Sequence, residues 1–230
     1  MYRRLDPNKI VDTAERLRSR IVERFPESSL GRLGQEASIA AKETAEKIQW
    51  IQKPHVPIRT AIAFLLAVIA CLVAGAATKL NAPAWPDLLT LIQVLEASLS
   101  AIFFVGASVV FLTSWETRIK RNRALKSIHE LRAMAHIVDM HQLTKDPQSI
   151  LDKGSVTASS PRRELSTFEL GRYLDYCAEL LSLLGKIAAL YSQSIDDPVV
   201  LDAVDDVEDL TTELSQKVWQ KILMLEKHHE

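Results

Sequence analysis

Residues 60–78 read TAIAFLLAVIACLVAGAAT, 19 consecutive positions without a charge. At about 1.5 Å per helical residue, such a run nearly crosses a bilayer hydrocarbon core of roughly 30 Å. A second apolar block, 88–115, holds a single ionisable residue, Glu96, and its later part, ASLSAIFFVGASVVFLTSW at 97–115, is again 19 residues without charge. A pair of buried core helices is the alternative, but soluble chains of this size rarely contain two uninterrupted runs of such length. Two transmembrane helices are therefore expected.

The rest of the 230 residues is polar enough to hide these blocks in the averages: 47% hydrophobic, 25% charged and a mean hydropathy of +0.03. That composition excludes disorder, collagen and a disulfide scaffold. Seven glycines, 6% aromatic residues and long stretches of helical period argue against an all-β protein or a nucleotide-binding α/β domain.

Charge sets the expected orientation. The segment between the runs, KLNAPAWPD at 79–87, has one lysine, whereas Lys42, Lys47, Lys53 and Arg59 precede the first run and Arg118, Lys120, Arg121, Arg123 and Lys126 follow the second. The positive-inside rule then puts both termini in the cytoplasm and the short loop outside, in a plasma or inner membrane. Trp85 and Trp115 fall at the outer and inner boundaries, where indoles favour the headgroup layer. The opening MYRRLDPNKI has no apolar h-region, so no cleavable signal is expected there. Cys71 falls mid-membrane and Cys177 in the cytoplasmic part, which argues against a disulfide or a zinc site.

Prolines punctuate the remainder. Asp6-Pro7 is an N-cap followed by proline at the first helical position, and Ile10, Ala14, Leu17, Ile21 and Phe25 follow at helical spacing up to Pro26. After a turn at 28–34, an amphipathic stretch at 35–52 leads to Pro54 and Pro57, and Asp87 is placed to cap the second span. From 87 to 146 there is no proline and one glycine, Gly106, so the second span is expected to continue into the cytoplasm as one helix of up to about 60 residues. Its apolar positions Ile128, Leu131, Met134, Ala135 and Val138 share one face. Lys145 to Pro161, containing KGSVTASSP, reads as a linker. Ser166 and Glu169 then form a capping box. A broad stripe follows from Leu170 through Tyr173, Leu174, Cys177, Leu181 and Leu184 to Tyr191. Asp197-Pro198 opens a last helix with Val200, Val204, Val207, Thr211, Leu214, Val218, Ile222 and Leu225 inward, giving an antiparallel hairpin that packs with the extension of the second span as three helices.

The expected fold is thus all-α, an integral membrane helical hairpin of two transmembrane helices with a cytoplasmic helical bundle. Its parts are N-terminal cytoplasmic amphipathic helices (1–57), the transmembrane hairpin (58–115, spans about 60–78 and 90–115, outside loop 79–87), a cytoplasmic extension (116–144), a flexible linker (145–165) and a C-terminal cytoplasmic helical hairpin (166–230).

No nucleotide-loop, zincin, nucleophile-elbow or C-x-x-C motif is present. His129, His136, Asp139 and His141 cluster on one helix, but His129 and His136 lie about 10.5 Å apart along its axis, too far for one metal ion. His136 and Asp139 share a face at i,i+3 and are only two ligands; polar residues on an amphipathic helix are the favoured account of them. Gln93, Glu96 and Ser100 make a narrow polar stripe within the second run, which either lines a pore in an oligomer or marks the outer interface. Ala63, Ala67, Ala70 and Ala74, with Ala97, Ala101 and Ser108, permit close helix approach, within the hairpin or between copies. Residues 116–132 hold six basic and two acidic residues, and 194–213 hold eight acidic and none basic. Arg118, Lys120, Arg121, Arg123 and Lys126 are therefore expected to meet either anionic headgroups or the acidic last helix. No aromatic-interleaved basic patch for nucleic acid occurs.

These readings describe a non-enzymatic membrane protein that needs no cofactor. Its hairpin anchors, and its cytoplasmic helices, with coiled-coil-like stripes, mediate self-association as a homo-oligomer or bind a cytoplasmic protein partner. An oligomeric pore or ion-conducting assembly is the alternative, and a metal-dependent membrane enzyme at His136 and Asp139 ranks third.

Overall fold

A computed structural model describes residues 4–54, 56–79, 88–143, 145, 147 and 165–226, with side chains for all of these except 72, 73, 76–79, 90 and 91. The described residues form helices α1 (Pro7–Arg24), α2 (Ser29–Gln52), α3 (Val56–Lys79), α4 (Leu88–Leu143), α5 (Thr167–Ser192) and α6 (Pro198–Glu226), with no strand among them. Asp87, Trp85 and nearly all of the linker lie outside the described residues. The chain divides into two units: Met1–Gln52 with Arg121–Glu230, and Lys53–Lys120. The continuous helix α4 contributes to both.

The first unit is a bundle of α1, α2, the 121–143 part of α4, α5 and α6. Its helices start where the sequence chemistry says they should. Asp6 accepts from the Asn8 N–H with Pro7 at the first helical position, and Ser166 and Glu169 complete a reciprocal capping box. Asp197 Oδ1 accepts from the N–H groups of Val199 and Val200 at the start of α6. One start differs from expectation. α2 begins at Ser29, within the stretch that looked like a turn, because the reversal is complete over Phe25–Ser28, with Glu27 at φ 59°, and the Ser28 hydroxyl accepts from the Gly31 N–H. Gly31 and Gly34 are then packing residues: a Cβ at Gly34 would lie 3.3 Å from Ile21 Cδ1 of α1.

Cross-helix bonds give the register. Arg18 to Gln35 and Lys42 to Glu15 make α1 and α2 antiparallel neighbours. Leu5 to Gln193 and a bidentate Arg20–Glu179 pair (2.7 and 3.0 Å) set α1 antiparallel to α5. The buried Tyr191 hydroxyl donates to Thr44 Oγ1 at 3.3 Å, and Gln52 donates to Ser194, so α2 runs parallel to α5. Lys47 to Ser127 and Arg123 stacked 4.1 Å from the Trp50 ring centroid align α4 antiparallel to α2. Arg121–Asp197, Arg132–Asp206 and Lys221 to the Gln142 carbonyl align it parallel to α6. Hence Gln52 and Arg121, where the chain leaves and re-enters this unit, sit at the same end of the bundle.

The core follows the stripes read from the sequence: Ile10, Ala14, Leu17 and Ile21 of α1, Ile128, Leu131, Ala135 and Val138 of α4, and the inward positions of α5 and α6 are all buried. Phe25 fits edge-on against Tyr173 and Tyr176. The unit holds five helices rather than the expected three, because α1 and α2 complete the surface that α5 leaves open. α5 is buried on a wide arc that includes Tyr176, Leu183 and Leu190 as well as the narrower stripe, which a two-sided neighbourhood requires.

α5 and α6 approach most closely at Gly185, where a Cβ would stand 2.9 Å from the buried Thr211 Oγ1. Gly185→Leu is expected to cost about 2 kcal/mol through overpacking, lowering the melting temperature of the full chain in detergent by roughly 4–8 °C. Gly171→Ala in the same helix, where a Cβ meets nothing within 4 Å, is expected to leave the melting temperature unchanged or raised. Circular dichroism on the two variants checks this.

Candidate functional site

In the second unit no described residue from 56 to 120 is buried. Phe64 is 72% exposed, Leu99 71%, Ile102 70%, and Phe103 and Phe104 69% each. Soluble monomers seldom show a contiguous apolar patch beyond a few hundred Å². α3 and the 88–115 part of α4 are long and apolar enough to cross a membrane, and none of their described side chains is buried.

Partial burial marks how the two helices relate. Ile58, Ile62, Leu65 and Ile69 of α3 and Val105, Ser108, Val109 and Leu112 of α4 are the half-covered positions. Beside this line runs an open groove of about 650 Å³ lined by Phe64, Leu65 and Val68 from α3 and Phe104, Ala107 and Phe111 from α4. The alanine stripe is elsewhere: Ala63, Ala67, Ala70 and Ala74 are exposed, roughly 140° round α3 from the half-covered line. Ala97 and Ala101 are exposed too, while Ser108 is half-covered with its hydroxyl donating to the Phe104 carbonyl at 2.8 Å.

Gln93, Glu96 and Ser100 are exposed on α4. At about 100° per residue their stripe lies roughly 140° round the helix from the half-covered line, so α3 does not shield it. Continued at spacings of three and four residues, the same stripe passes through Phe104, Ala107 and Phe111, the α4 wall of the groove. Sequence reasoning found the polar end of this face and missed its apolar continuation, for which only the i,i+4 spacing was a signal.

The basic residues after the second run have different surroundings. Arg121 Nε donates to Asp197 Oδ2 at 2.8 Å, and that carboxylate is only 4% exposed. Lys120 pairs with Glu116 and donates to the Lys53 carbonyl. Arg123 lies over Trp50. Arg118 and Lys126 are exposed and make no ion pair among the described residues. The structure thus takes Arg121 to the acidic last helix and leaves Arg118 and Lys126 on the surface.

The histidine group is dispersed. His129 and His136 are exposed, and the Asp139 carboxylate accepts from Gln142 Nε2 at 2.7 Å. Among the described residues no three His, Cys, Asp or Glu side chains gather as a metal set. Gln142, buried at 1% exposure, was not anticipated; it extends the inward line Leu131, Ala135, Val138 by one turn. Burial, with a smaller push from Arg32, holds His141 below its ordinary value near 6.5. Burial also pushes the Cys177 thiol up to about 12, making it a packing residue and not a nucleophile. No protein-family model, no curated protein and no solved structure matches the chain significantly.

Two outcomes follow from these surroundings. Arg121→Ala strands the buried Asp197 carboxylate and is expected to cost about 1–3 kcal/mol in denaturant titrations of the full chain in detergent, whereas Arg118→Ala and Lys126→Ala stay within about 0.5 kcal/mol. The lowered His141 value means the unfolded chain binds its proton more readily than the folded one. This contribution is full above about pH 6.5 and is lost as the pH falls through the folded value. Melting temperatures measured down to about pH 5 are expected to fall less steeply for His141→Gln than for the parent chain.

Proposed function

We propose that this chain is an integral membrane protein with no catalysis of its own. In this reading α3 and the first half of α4 form a transmembrane hairpin. The bundle and both termini lie on the cytoplasmic side of a plasma or inner membrane, where the helices serve self-association or hold a cytoplasmic protein partner. The observation that carries it is the contrast in burial along one chain. The bundle hides its apolar stripes, while large side chains such as Phe64, Leu66, Leu99, Ile102, Phe103 and Phe104 are left bare, and each would be stabilised by about 1.5–3 kcal/mol on leaving water. Lipid supplies that environment without a further protein surface. The basic residues on both flanks of the pair, against the single lysine of 79–87, support the orientation.

A second reading, an oligomeric pore, is favoured by one observation: Gln93, Glu96 and Ser100 are exposed on an otherwise apolar helix, on a side that α3 does not shield. The metal-enzyme reading gains no support from the geometry, since Asp139 is engaged by Gln142 and His136 stands exposed.

Asn81→Cys and Lys126→Cys, each in a Cys71→Ser chain whose one remaining native cysteine, Cys177, is buried, test the orientation in intact cells. A membrane-impermeant maleimide is expected to label the first and to reach the second only after permeabilisation. Labelling of the second alone, or of both, in intact cells contradicts the proposed topology.

A further inference from the structure

We propose that a second copy of this chain packs on the α4 face formed by Gln93, Glu96, Ser100, Phe104, Ala107 and Phe111, filling the open groove and hydrogen-bonding Glu96. The proposal rests on the membrane reading above and adds to it a partner and a contact surface. The groove is about 650 Å³ of space between α3 and α4 that the chain's own side chains leave unfilled, with Phe104 69% exposed on its rim and Phe64 72%. Acyl chains fill such a groove as well as a helix does. They do nothing for the polar end of the same face, where a carboxyl, an amide and a hydroxyl occupy successive turns.

Polar groups inside a membrane are satisfied by other protein groups, and the donors that suit Glu96 are already on this stripe. Two copies inserted with the same topology run parallel about a two-fold axis, so each face meets itself and residue 96 stands level with 93 to 100 of the other chain. The second copy's Gln93 amide and Ser100 hydroxyl then donate to the Glu96 carboxyl, and its own Glu96 receives the same bonds in return. Ser100 is available for this: the hydroxyls of Ser98 and Ser108 are spent on the Val94 and Phe104 carbonyls of their own helix, and Ser100 makes no such bond among the described residues. Below the polar end, Ala107 lets the two backbones approach. Phe104 and Phe111 of one copy enter the groove walled by Phe64 and Val68 of the other. The face is therefore self-complementary along its whole length, which a lipid surface or an unrelated helix is not.

Disulfide trapping of the full chain in its membrane tests this. Ser100→Cys and Ala107→Cys, each with Cys71→Ser, are expected to give a covalent dimer on mild oxidation, several-fold more than Ile102→Cys, which is exposed on the far side of α4. Adding Glu96→Leu to Ser100→Cys is expected to lower the yield about threefold, the worth of an interhelical hydrogen bond, while Glu96→Gln retains it. Equal or higher trapping at residue 102, or no trapping at 100 and 107, overturns the proposal. An unchanged yield with Glu96→Leu overturns the role given to Glu96. Alkaline extraction of the same samples separates the two levels. Protein that stays with the membrane but does not cross-link removes the contact and spares the anchor, whereas release into the supernatant removes the membrane reading as well.

Discussion

The structure depends on a change of surface along α4. The helix is one unbroken ladder from Leu88 to Leu143, made possible by the absence of proline and the presence of a single glycine. Over 88–115 it is apolar or weakly polar on every side, with Glu96 its one charge, and beyond Arg121 it is apolar on one side only. A helix apolar all round requires a medium that accepts it from every direction, and a helix apolar on one side requires neighbours. The same element therefore belongs to two units with different demands, and α1, α2, α5 and α6 are arranged to meet the second.

Those demands are met mostly by packing. Ile128, Leu131 and Val138 of α4 belong to one buried core with the inward residues of α5 and α6, and the α1–α2 pair packs on α5. The segregation of charge resolves into a few contacts of unequal weight. Arg132–Asp206 is exposed on both sides and contributes little. Arg121–Asp197 is the one that counts: the carboxylate is buried, caps α6 through two backbone N–H groups and holds the guanidinium at the point where α4 enters the bundle. One residue thus fixes the start of α6 and its register against α4.

Much of this was legible in the sequence because it rests on local rules. Asp6-Pro7, the Ser166–Glu169 box and the inward line from Val200 to Leu225 each depend on spacing alone, and each appears as read. The start of α2 was not legible, since Gly31 and Gly34 carry the same letters whether they turn the chain or let α1 approach. The joining of α1 and α2 to the C-terminal helices was hidden for a similar reason: an amphipathic stripe shows that a partner exists and not which one. At the candidate site, Gln93, Glu96 and Ser100 stood out by polarity, whereas the groove beside Phe104 and Phe111 arises from the relation of two helices whose residues at that level are apolar on most sides and so mark no facing side. The destination of Arg121 as against Arg118 and Lys126 is likewise a matter of which turn faces α6.

A membrane hairpin requires that lipid cover the bare surface of α3 and α4. Nitroxide labels on Leu66→Cys and Phe103→Cys, each with Cys71→Ser and reconstituted in vesicles, test it directly by their collision rates with oxygen, which concentrates in the bilayer, and with an aqueous nickel chelate. The expected result is preferential relaxation by oxygen at both positions. Preferential relaxation by the chelate would show that water or soluble protein covers these helices and would contradict the account.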